Sequence, residues 1–153
     1  LARLSWLSQK SVLDIAGVQR STWLRLLENR AMSHLFSWLT LTPDQIAQSS
    51  GISPTRAQQL WHRFNLTRQQ PLRRWIGALG IPLPQRALNA LPDRTWDEVQ
   101  QRDVQQWQAL PGVGAILAQR IHTMLQDARI QKLIAFLRQQ GIPGEVSAPG
   151  GDS

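Results

Sequence analysis

The 153 residues (17.3 kDa) are enough for one ordinary domain or two very small ones, able to bury a core without help from metals or disulfides. The absence of cysteine excludes, within these residues, a disulfide framework, a Cys-ligated zinc site, an iron–sulfur cluster and a thiol nucleophile. The net charge of +7 is almost all arginine, since Lys10 and Lys132 are the only lysines, and with no run near the roughly 18 apolar residues of a span and no secretion signal at the start, a cytoplasmic chain with no membrane partner is expected.

In chain order, the sequence opens on Leu1 instead of Met, as expected of a piece of a longer protein. A first glycine-hydrophobic break, Ala16-Gly17-Val18-Gln19, is followed by a helix with Arg20 in its first turn. Thr42, Pro43 and Gln45 then combine an N-cap, a proline where no N–H is needed and a capping-box acceptor. The second break, Ser50-Gly51-Ile52-Ser53, leads through Pro54 into a helix that carries Arg56. Its Ala57, Leu60, Trp61 and Phe64 fall at i, i+3, i+4, i+7. Leu72, Trp75, Ile76 and Leu79 repeat that template and run into the third break, Leu79-Gly80-Ile81-Pro82, with Arg86 beyond it. Asp93, Asp97, Glu98 and Asp103 could gather magnesium, but three of them stand near helix starts, where the dipole favours carboxylates, so capping is expected. The fourth break is Pro111-Gly112-Val113-Gly114, followed by Ala115, Ala118 and Arg120 and by the apolar stripe Leu117, Ile121, Met124, Leu125. A last helix carries Ile130, Leu133, Ile134 and Leu137, and Gly141 with Pro143 stops it. The Gly/Pro-rich end that follows has almost no apolar residue, so 143–153 is expected to be a disordered tail. No period-2 run bounded by turns occurs, and the expected fold class is all-α.

Glycines 17, 51, 80 and 112 are 34, 29 and 32 residues apart, a loose repeat of helix, break and helix. The fourth break spells a helix-hairpin-helix. Glycine permits the positive-φ turn and close approach of a ligand, and successive N–H groups of the turn, with those of the next helix's first turn, form an outward anion nest. Val113 plugs the turn onto the helix pair, and small Ala118 lets the two helices pack closely. A DNA phosphate fits such a nest. The other three breaks carry Gln19, Ser53 or Pro82 in place of the second glycine, and Pro82 lacks a donor, so the third is expected to be structural. Residues 1–90 hold 11 basic and 3 acidic side chains, against 6 and 7 in 91–153, which makes the first part the polyanion face. The seven tryptophans are expected in the core, and the separated His34, His62 and His122 do not form a metal site.

Four such motifs in about 140 residues, closed by a short final helix, resemble the helix-hairpin-helix domain of bacterial NAD-dependent DNA ligases. Phe36-Ser37-Trp38-Leu39, Leu41-Thr42-Pro43, Leu60 to Leu66 and Gly80-Ile81-Pro82-Leu83 look most like the B-type enzyme. The likeness covers residues 1–142, with sub-units of about 1–68 and 69–142 arranged as two pseudo-twofold pairs of motifs. It implies a DNA-binding, non-catalytic part of an enzyme whose adenylation domain, OB-fold and zinc module lie upstream. NAD and magnesium are then cofactors of the parent enzyme, and none is expected in this part. The family's catalytic lysine lies in Lys-x-Asp-Gly, which neither Lys10 nor Lys132 matches. The expected partner is nicked double-stranded DNA, bound by a monomer through minor-groove phosphates. The residues implied are Gly17, Val18, Gln19 and Arg20; Gly51, Ile52, Ser53 and Arg56; Gly80 and Arg86; and Gly112, Val113, Gly114, Ala115 and Arg120. A base-excision glycosylase shares the Leu-Pro-Gly-Val-Gly spelling but needs an aspartate about 20 residues on, and residues 128–144 contain none. The remaining alternative is a helical protein-interaction scaffold in which the degenerate hairpins have become protein contacts.

Overall fold

The computed structural model describes residues 2–143, and the expected tail lies outside them from residue 144 onward. The described chain is all-α, with ten α-helices, two short 3-10 turns and no strand among these residues. It divides into two compact units, Leu1–Gln69 and Gln70–Ser153.

The first unit contains α1 (Ala2–Leu7), α2 (Arg20–Glu28), α3 (Pro43–Ser50) and α4 (Pro54–Leu66). Helix α3 starts as its sequence dictates: Thr42 Oγ1 accepts from the Gln45 N–H at 3.1 Å, and Gln45 Oε1 accepts from the Thr42 N–H at 2.9 Å. Ser53 Oγ likewise accepts from the Arg56 N–H at 3.2 Å and caps α4. The core is built on Trp23, Trp38 and Phe64, all fully buried, with the Phe64 ring centroid 5.5 Å from Trp23 and 5.0 Å from Trp38. Each such ring contributes about 4–6 kcal/mol of transfer free energy before the entropy of ordering it. Both indole N–H groups are satisfied, Trp23 donating to Ser8 Oγ and Trp38 to the Leu35 carbonyl, so their burial leaves no orphan donor.

The second unit holds α5 (Leu72–Ala78), α6 (Gln85–Ala90), α7 (Trp96–Gln101), α8 (Val104–Gln108), α9 (Ala115–Gln126) and α10 (Ala128–Gln139). Its core takes Trp75, Ile76, Trp96, Trp107, Ile121, Ile134 and Leu137. Ala118 on α9 is fully buried, and α9 packs against both α8 and α10. Gly141 turns left-handed (φ +74°) after α10, and the Ile142 carbonyl then accepts from Trp96 Nε1 at 2.8 Å, tying this end of the chain to α7. Not every tryptophan is core: Trp6 and Trp61 are half-buried. The apolar stripe of α4 centres on Ala57, Leu60 and Phe64, which leaves Trp61 at its edge.

Candidate nucleic-acid interface

The four glycine breaks share one backbone device. Gly17, Gly51, Gly80 and Gly112 all lie in the left-handed region, with φ of +80°, +77°, +85° and +78°. An apolar residue follows each: Ile81 and Val113 are buried, while Val18 and Ile52 are half-buried. In three breaks an extended residue, Gln19, Ser53 or Gly114, then stands at the N-cap position of α2, α4 or α9, and of these only Ser53 caps with its side chain. The third differs. The chain runs through Pro82 to Pro84 before α6 begins, so two of its positions have no N–H to offer, and α6 is only six residues long. The first break also departs from the simple pattern, because α1 ends at Leu7 and a series of turns, including Asp14 at φ +53°, precedes Gly17.

The fourth break is the most open. Gly114 has φ −89° and ψ −178°, extended backbone that any residue adopts, so its glycine does not answer a left-handed requirement. A Cβ added there would meet no atom within 4 Å. The N–H groups of Gly114, Ala115 and Ile116 have no hydrogen-bond acceptor among the described residues, and Gly114 offers no side chain to cap α9. Ile116 beside them is 88 % exposed. The result is a row of donors on exposed residues with no acceptor among the described residues, the arrangement that receives an anion.

Arginines stand around these turns in a way that sequence spacing did not reveal. Arg20, Arg56, Arg86 and Arg120 are exposed and make no ion pair among the described residues. Arg86 follows the third break, but its guanidinium lies over the fourth: a Cβ at Gly112 would be 2.8 Å from Arg86 Nε. Two unanticipated residues do the same in the first unit. A Cβ at Gly17 would be 3.6 Å from Arg63 Nε, and one at Gly51 would be 2.8 Å from Arg25 Nη1, which also donates to the Ser50 carbonyl at 3.4 Å. Arg56, Gln59 and Arg63, spaced three and then four apart, share one face of α4, and that spacing is the signal that could have drawn attention to Arg63.

The carboxylates of the second unit are engaged otherwise. Asp93 receives Arg102 through both oxygens, at 2.6 and 2.8 Å, and this pairing raises the Arg102 guanidinium above its ordinary pKa. Asp97 accepts from Arg138 at 2.6 Å, and that hydrogen bond holds its carboxyl below the usual range. Glu98 and Asp103 complete capping boxes on α7 and α8. Among the described residues no three His, Cys, Asp or Glu side chains gather where they could hold a metal ion. His34 is kept below the usual histidine pKa by burial, and its Nδ1 accepts from the Phe36 N–H. No helix among the described residues is long and apolar enough to cross a membrane. No protein-family model matches the chain.

Proposed function

We propose that this chain is the helix-hairpin-helix DNA-binding domain of an NAD-dependent DNA ligase, closest to the B-type enzyme, and that it grips duplex DNA on both sides of a nick. In this reading the four glycine breaks are the hairpins of four motifs arranged as two pseudo-twofold pairs. The domain works as a monomer in the cytoplasm, next to the upstream adenylation and OB-fold domains. Contacts run to phosphates along the minor groove, so affinity comes from charge and backbone donors while sequence goes unread. The observation that carries the reading is the fourth turn, where the N–H groups of the exposed Gly114, Ala115 and Ile116 have no acceptor among the described residues, beside a left-handed Gly112. The residues present do not fit the ligase cofactors. Lys10 is followed by Ser-Val-Leu and Lys132 by Leu-Ile-Ala, and the carboxylates are held by caps and arginines, so NAD and magnesium belong to the upstream domains in this proposal.

Binding of the protein to a nicked duplex, followed by gel shift across a salt series, tests the reading. Gly114→Val puts a β-branched side chain in front of the free donors without backbone strain, and it should weaken binding at least tenfold, about 1.4 kcal/mol, while the protein stays helical and melts cooperatively. A folded variant that binds like the parent reduces the hairpin to a turn. Absence of binding by the parent itself would favour the protein-interaction scaffold, a reading the donor-poor third turn already suits.

A further inference from the structure

The arginines of the first unit border two adjoining clefts. One, of about 370 Å³, is lined among others by Gln19, Arg25, Gly51, Ser53 and Arg56. The other, of about 120 Å³, is lined by Gly17, Arg56, Gln59 and Arg63, and Ile52 borders both. The guanidinium groups reach these clefts in a crossed fashion. Arg63, on the helix that follows the second turn, stands at Gly17 of the first, while Arg25, on the helix that follows the first turn, stands at Gly51 of the second. Arg56 lines both clefts. None of the three makes an ion pair among the described residues, although Asp14, Glu28 and Asp44 belong to the same unit. Like charges held around open space repel one another unless an anion enters, and a guanidinium presents five N–H donors in a fork that matches phosphate oxygens. Arg86 on Gly112 repeats the placement in the second unit, again from a helix that does not follow the glycine it covers directly.

We propose that the two clefts form one phosphate-binding groove, completed reciprocally: Arg63 serves the first turn, Arg25 the second, and Arg56 stands between them. The ligand is the run of successive phosphates on one DNA strand. This rests on the DNA-binding reading and adds to it two phosphate-binding residues, Arg25 and Arg63, and a site that neither motif makes alone. A merely structural role is the competing account of Arg25, whose bond to the Ser50 carbonyl supports the end of α3. That role affects stability and leaves the salt dependence of DNA binding unmoved.

The test measures the log K against log salt slope for the full chain on nicked duplex. Each phosphate contact accounts for about 0.9 units of slope, so the double variant Arg25→Gln/Arg63→Gln should lose about two units. Arg25→Lys/Arg63→Lys, which keeps the charges, should hold nearly the parent slope. A control pair of exposed arginines in the second unit, Arg73→Gln/Arg94→Gln, should lose less than half of what the groove pair loses. If the double Gln variant does not fold, Arg63→Gln carries the test alone, with about one unit expected, since its side chain makes no hydrogen bond among the described residues. An unchanged slope with binding intact overturns the groove and leaves the DNA reading standing. An equal loss in the control pair overturns it as well, because any surface arginine would then serve. No binding by the parent at low salt removes both together.

Discussion

At Gly112 the backbone sits at φ +78°, where any residue with a Cβ is strained by about 1–2 kcal/mol, and the added carbon would press on Arg86 Nε. At Gly114, two residues on, φ is −89° and the added carbon would meet nothing. The same letter therefore answers two demands: conformation at the first position, and clearance for a ligand at the second. One substitution made at both positions separates them. Gly112→Ser should lower the free energy of unfolding by about 1–2 kcal/mol. Gly114→Ser should leave it unchanged or raise it by a few tenths, roughly the gain of a serine over a glycine at an N-cap, because its hydroxyl can cap α9 as Ser53 caps α4. Denaturant unfolding of the two variants checks this, and equal losses at both positions would show that Gly114 also carries a conformational load.

Where a helix begins depends on its nearest residues, and those starts were legible: the capping box of Thr42 with Gln45 and the Ser53 cap both stand in the structure. The left-handed glycines were legible too, because only a turn rewards Gly-hydrophobic at spacings of 34, 29 and 32 residues. What depends on how one motif meets another was not. Arg25 and Arg63 gain their place from the pairing of α2 with α3 and of α4 with the first turn, which no local pattern encodes. Trp61 fitted the apolar template and still came out half-buried, since a period of 3.6 defines a stripe without saying how far its neighbours cover the edge. The third break ran past Pro82 to Pro84, a shift that the missing donor at Pro82 hinted at without locating the helix start. The contact of α8 with α9 is the element pair on which the fourth turn depends. Ala118 on α9 is fully buried, so Ala118→Leu should overpack the helices around it, lower stability by about 1–3 kcal/mol and misalign the Gly114, Ala115 and Ile116 donors. Unfolding and nicked-duplex titration should change together in this variant, whereas Gly114→Val should change only the second.

Taken over the whole chain, the charge falls unevenly between the units: residues 1–69 carry 8 basic and 3 acidic side chains, residues 70–153 carry 9 and 7. The ion pairs among the described residues, Arg102 with Asp93, Arg129 with Asp127 and Arg138 with Asp97, all lie in the second unit, whereas Arg20, Arg25, Arg56 and Arg63 of the first make none among these residues. Such charge draws in a polyanion irrespective of its sequence, and the free backbone donors at the fourth turn are equally indifferent to bases. Reading a sequence requires side chains that reach base edges from an element seated in a groove. Here the groups gathered at the turns are glycines, short caps and guanidinium groups, which suit phosphate. Competition between AT-rich and GC-rich nicked duplexes of equal length should therefore show a difference below about 1 kcal/mol, the lower end of what a single mismatched pair costs in a specific site. Raising the salt should weaken both duplexes in parallel, because the same phosphate contacts are lost from each. A preference of several kcal/mol that persists at high salt would mean that base edges are being read, and would move the interface away from the turns and onto a helix face.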